Sequence, residues 1–170
     1  MNREYDGNSF DTKPNIWVIA ISLFLAIALE FFPWPQWFLR INPSFPLLML
    51  LYWSIHRPRL VNYAVAIVIG VVMDLAGQSP IGFNALVFTM LVFAANILRG
   101  RFALFGYLGQ SLHILIFLGA GQLLTVSLSL LDGRTLPQIN PHFFIPSMTG
   151  AALWAILPFI IYRLRFRLHH

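Results

Sequence analysis

Six apolar segments, over residues 16–32, 41–55, 61–76, 83–98, 104–131 and 143–162, constrain this chain more than any other feature. A helix that crosses a bilayer needs about 20 predominantly apolar residues at a rise of about 1.5 Å each. The second segment is marginal by that measure and is compatible with a tilted or re-entrant piece. Composition agrees with a membrane setting: of 170 residues, 58% are hydrophobic and 10% charged, where a soluble domain carries about 25% charged residues. The segments predict an all-α integral membrane protein with one membrane domain over 16–162. An N-terminal tail (1–15) and a basic tail (163–170) flank it. The first run ends in "EFFPWPQW", without the small-residue cleavage site of a signal peptide, so it is expected to stay as a helix.

Charge placement bears on the number of crossings. If all six segments cross and both termini are cytoplasmic, the inner side holds Arg3, Lys13, Arg57, Arg59, Arg99, Arg101, Arg163, Arg165 and Arg167. The outer side holds Arg40 and Arg134, which completes the 11 basic residues. Were the second segment not to cross, Arg57 and Arg59 would move outside and the bias would collapse. The positive-inside rule therefore favours six helices, N-in and C-in. The basic residues lie between apolar runs rather than among exposed aromatics, which argues against a nucleic-acid partner. Trp34 and Trp37 suit an interfacial aromatic belt, and Pro158 is expected to kink the last helix.

Catalytic and metal chemistry find little support. There is no HExxH, GxSxG or GxxxxGK[ST] pattern. Cysteine is absent, so disulfides and thiolate metal sites are excluded, and the five histidines show no ligand spacing. No cofactor and no enzymatic activity are expected.

Three ionisable residues fall inside the segments. Asp74 and Glu30 lie about 22 Å from the cytoplasmic end of their helices, counted from Arg59 and Asn15, and His113 lies about 18 Å past Arg101. Such residues mark a polar pocket or a proton path. Alternatively, the acids reach the headgroup region, Asp74 bonds the turn that follows it, and His113 makes one interhelical bond. Small residues recur at fourfold spacing: Ala66 and Gly70, a face that Asp74 continues towards Gly77, and Ser147, Ala151 and Ala155 on the sixth segment. Small residues let helix backbones approach closely, either within this bundle or along a seam for a partner's helix. The C-terminal "YRLRFR" is a stop-transfer anchor or a contact with anionic lipid.

The stretches "NPSFPLLMLLYW", "HRPRLVN" and "GVVMDLAGQSPIGFNAL" resemble, in this order, the bacterial rod shape-determining protein MreD family. The likeness is sharpest over 42–86 and extends to the C-terminal arginines. The resemblance implies a multi-pass protein of the bacterial inner membrane, with a fold like the substrate-binding subunits of energy-coupling-factor transporters. It also implies a non-enzymatic scaffold of the cell-elongation complex that supports lateral peptidoglycan synthesis. The implied partners are MreC through its transmembrane helix, then MreB, RodA and a penicillin-binding transpeptidase. The second reading is a solute-binding subunit of a small-molecule transporter, with an outward cavity lined by Asp74, Glu30 or His113. A lipid-precursor flippase, a third reading, would need a large polar cavity.

Overall fold

A computed structural model describes residues 16–77, 79–102, 105, 107–131, 133 and 141–167, with the backbone alone at 102, 107, 108, 141, 142 and 158–167. Among the described residues there are seven α-helices, one 3-10 turn (Pro141–Phe144) and no strand. The helices are α1 (Ile16–Glu30), α2 (Gln36–Leu39), α3 (Phe45–His56), α4 (Tyr63–Gly77), α5 (Phe83–Phe102), α6 (Tyr107–Leu131) and α7 (Ile145–Arg167). The N-terminal tail, Arg134 and the side chains of Arg163, Arg165 and Arg167 lie outside what is described.

Among the described residues, Phe83–Arg101 and Gly109–Leu131 are long and apolar enough to cross a membrane. The others are shorter. α1 and α4 have 15 residues each and α3 has 12, so α3 is about 18 Å long. It starts at Phe45 rather than at Ile41 because prolines frame its beginning. Pro43 biases Asn42 towards extended backbone, and Pro46 is tolerated only in the first helical turn, where its missing N–H costs nothing. The one-turn α2 inside "PWPQWFLR" is not visible in the hydropathy. Its first turn closes with Phe38 N–H donating to Pro35 O at 2.9 Å. Helix α7 runs from Ile145 to Arg167 and includes Pro158.

The six longer helices alternate in direction. The C-terminal end of α1 meets the start of α3 through Glu30 and Phe45, and that of α4 meets the start of α5 through Asp74 and Asn84. Gly121 of α6 packs on Leu91 of α5, and Gly150 of α7 packs on Leu118 of α6 and Leu48 of α3. One end of the bundle therefore holds Glu30, Asp74 and the starts of α3, α5 and α7. The other holds Arg57, Arg59, Arg99 and Arg101. Helix α3 touches α1, α5 and α7. Its Leu48, Leu50 and Leu51 are fully buried with Val92, Ile114 and Trp154. Trp53 Nε1 donates to Ser22 Oγ at 2.8 Å and ties α3 to α1. Thr149 Oγ1 donates to Ile41 O at 2.6 Å and ties α7 to the segment before α3.

The exterior is apolar. Trp17, Phe24, Val68, Leu75, Phe93, Ile97 and Ile116 are all exposed. A soluble monomer rarely exposes such a surface, and helices that are apolar on all sides belong in a lipid environment.

Candidate functional site

The most constrained feature is the α4–α5 hairpin, which "GVVMDLAGQSPIGFNA" forms. The first turn of any helix leaves N–H groups without acceptors. In α5 those donors turn to a side chain of the preceding helix. Asp74 is buried, at 1% exposure. Its Oδ2 accepts from Gly82 N–H at 2.8 Å and Ala85 N–H at 3.4 Å. Its Oδ1 accepts from Asn84 N–H and Asn84 Nδ2, both at 2.9 Å. Asn84 and Ala85 are the second and third residues of α5, the donors that an N-cap side chain ordinarily satisfies. Here the cap comes from eight to eleven residues earlier. A negative charge at this place also complements the helix dipole. Gly82 turns the chain with φ of +103°, a conformation that favours glycine.

One turn before Asp74, Gly70 fixes the helix separation. A Cβ at Gly70 would fall on the Ala85 backbone and come within 2.8 Å of the Asn84 carbonyl carbon. The two helices thus cross in backbone contact, with the carboxylate cap directly beyond. Ala66 is buried on the same helix, whereas Gly77 is exposed, and a Cβ there would meet Ser79 Oγ only at 3.7 Å among the described residues.

Glu30 repeats the device. Its Oε2 accepts from Phe45 N–H, the first residue of α3, at 3.1 Å, while Ser44 makes no side-chain cap. His113 belongs to neither group. Its Nδ1 lies 2.7 Å from Gly109 O in its own helix, and its ring packs against Phe105. The other small-residue row divides: Ser147 and Ala151 are buried inside the bundle and Ala155 is exposed. Arg57 is half-buried, and Arg59, Arg99 and Arg101 are exposed. Among the described residues no three His, Asp, Glu or Cys side chains gather as a metal site would require.

Sequence reasoning did not single out a cavity of about 260 Å³ between α3, α5, α6 and α7. Its polar groups are Ser44, Asn84, Gln122, Thr125, Ser129 and Ser147, and its apolar walls include Leu47, Val87 and Phe88. Asp74, Glu30 and His113 are not among the described residues that line it. Two of its polar groups are bonded to each other, Ser147 Oγ donating to Gln122 Oε1 at 2.7 Å. The polar residues of α6, spaced at 122, 125 and 129, were the available signal.

With that geometry in view, comparison with known proteins gives one consistent result. The chain matches the family model described as rod shape-determining protein MreD over residues 12–165. It is similar to a protein of Haemophilus influenzae named rod shape-determining protein MreD, with 35% identity over 106 residues. The match spans 59% of this chain and 63% of that relative's length. No solved structure matches the chain. The family match along most of the sequence places this chain, with its apolar exterior and capped hairpin, in the MreD family of rod shape-determining proteins.

Proposed function

We propose that this chain is a non-enzymatic scaffold of the bacterial cell-elongation complex. It crosses the inner membrane six times, with both termini in the cytoplasm, through one membrane domain over 16–162. It meets MreC through contacts between transmembrane helices, and MreB, RodA and a penicillin-binding transpeptidase join it in supporting lateral peptidoglycan synthesis. The observation that carries this reading is where the polar groups go. Asp74 caps α5 with both of its oxygens and Glu30 caps α3 with one, and what remains outside is an apolar surface of six alternating helices. Such a surface recognises other helices by packing. The alternation and the Arg57, Arg59, Arg99 and Arg101 cluster at one end support six crossings. Co-purification from detergent tests the contact: the chain is expected to retain MreC whose transmembrane helix is intact, and loss of MreC under those conditions overturns the reading.

The cavity favours a second reading, a solute-binding membrane subunit of a transporter, which predicts retention of a small solute by the purified chain. At about 260 Å³ it is too small for the headgroup of a lipid-linked precursor, which argues against a flippase. The likeness to energy-coupling-factor substrate-binding subunits rests on the family resemblance alone, and fold does not carry function.

A further inference from the structure

The cavity has no task in the scaffold reading, and its chemistry is specific enough to name what it takes. Its volume of about 260 Å³ corresponds to about nine water-sized groups at ~30 Å³ each. It lies where α5 and α6 part. Gly121 packs on Leu91 and Val87, and beyond that contact Asn84 on one helix and Thr125 and Ser129 on the other line the gap. Thr125 is exposed, so the gap opens at α6.

Four of the polar side chains here, Asn84, Gln122, Thr125 and Ser129, are each held by a bond and keep a further capacity. Asn84 is held through Nδ2 on Asp74 at 2.9 Å, which leaves its amide oxygen. Gln122 is held through Oε1, which accepts from Ser147 Oγ at 2.7 Å, and this leaves two N–H donors. Among the described residues neither remaining group has a protein partner. Thr125 and Ser129 donate within their own helix, to Gly121 O at 3.0 Å and Thr125 O at 2.8 Å, and retain oxygen lone pairs.

Charge decides the class of ligand. Helices α3, α5 and α7 all begin at this end, and bare helix starts would favour an anion. The starts of α3 and α5 already carry the carboxylates of Glu30 and Asp74. No described residue that lines the cavity is charged. An ion of either sign would lose its hydration against apolar walls without gaining a counter-charge.

We infer that this cavity binds a small uncharged amphiphile, an apolar body of about nine water-sized groups bearing one amide or hydroxyl that accepts from Gln122 and donates to Asn84. The inference stands apart from the scaffold reading, because assembly with MreC can hold or fail without changing what the cavity takes. Two sources supply this chemistry, a neutral solute and a neutral lipid of the bilayer.

The test uses the full chain in phosphatidylcholine nanodiscs and two diazirine probes, an octanamide added from solution and a diacylglycerol placed in the bilayer. Crosslinked peptides are mapped by mass spectrometry. Labelling is expected within residues 84–88 and 121–129. Octanamide is expected to compete at least tenfold better than octanoate or octylammonium. Gln122→Leu and Thr125→Val are each expected to reduce labelling threefold or more without changing thermal unfolding. Should Gln122→Leu not fold, Thr125→Val on the exposed side carries the test alone. Labelling by octanamide identifies a solute as the source, and labelling by diacylglycerol alone identifies the bilayer. Either supports the site. Absence of label in both stretches from both probes overturns it, as does octanoate competing as well as octanamide.

Discussion

Replacing Asp74 by alanine removes the acceptor for three backbone N–H groups at the start of α5 and for the Asn84 amide. Each buried donor left without a partner costs about 1–3 kcal/mol. Loss of an N-cap alone costs about 1 kcal/mol. Taking the low end for three donors, and allowing that removal of a desolvated charge returns part of the loss, gives a destabilisation of about 3 kcal/mol. For a chain of 170 residues this lowers Tm by about 6–12 °C. Asp74→Asn keeps one oxygen for the Asn84 donors but turns an NH2 towards the Gly82 N–H, now 2.8 Å from Oδ2, and is expected to cost about half as much. Gly77→Ala, exposed on the same helix, is the control and should stay within about 0.5 kcal/mol. Thermal unfolding in detergent reads the ranking, and hydrogen exchange at Asn84 and Ala85 reads the cap itself. The reasoning is refuted if Asp74→Ala unfolds within 2 °C of the parent by the same conversion, or if those two amides exchange no faster.

Other perturbations read the remaining contacts. Gly70→Ala forces α4 and α5 apart, since the added methyl meets backbone rather than a movable side chain. Overpacking of this kind costs about 3 kcal/mol, and unfolding of the Gly70→Ala chain in detergent should register a Tm loss comparable to that of Asp74→Ala. Glu30→Gln keeps an acceptor for Phe45 N–H and should unfold like the parent, whereas Glu30→Leu should lose about 1 kcal/mol; equal stability of the two would show that this cap contributes nothing. Trp53→Phe deletes the buried bond to Ser22 and should cost about 1–2 kcal/mol, with faster proteolysis of the α1–α3 connection as a second readout. Ser147→Ala frees Gln122 and should change unfolding by less than about 1 kcal/mol, because the amide retains access to the cavity.

Most of the helical architecture was legible in the sequence. The runs at 61–76 and 83–98 reappear as α4 and α5 with ends displaced by a few residues, because turn residues such as Gly82 and Asn62 punctuate them clearly. The face each helix buries was much less legible. Helices that are apolar on every side carry no stripe that tells core from lipid. The row Ser147, Ala151, Ala155 illustrates this. Steps of four residues turn a helix by about 400°, so the third member has drifted about 80° from the first, and Ala155 is exposed while Ser147 is buried. Gly150, which packs against Leu118 and Leu48, carries no local signal at all, since its role depends on two helices distant in sequence. The cavity is hidden for the same reason. Its polar groups come from three helices and the residue before a fourth, and converge only in space. Glu30 and Asp74 stood out as unusual, but their shared task depends on which helix start lies beside them.

The spacing between Asp74 and its donors has a consequence for biogenesis. A helix that enters lipid alone with an aspartate in its last turn is disfavoured on insertion, by less than the about 2.5–3.5 kcal/mol that the same residue costs at a helix centre. Here the groups that neutralise that disadvantage, at Gly82, Asn84 and Ala85, follow within eleven residues. They leave the ribosome almost at once. On the six-crossing reading proposed above, the acid and its cap therefore favour partitioning of α4 and α5 from the translocon as one preassembled pair, rather than one helix after the other.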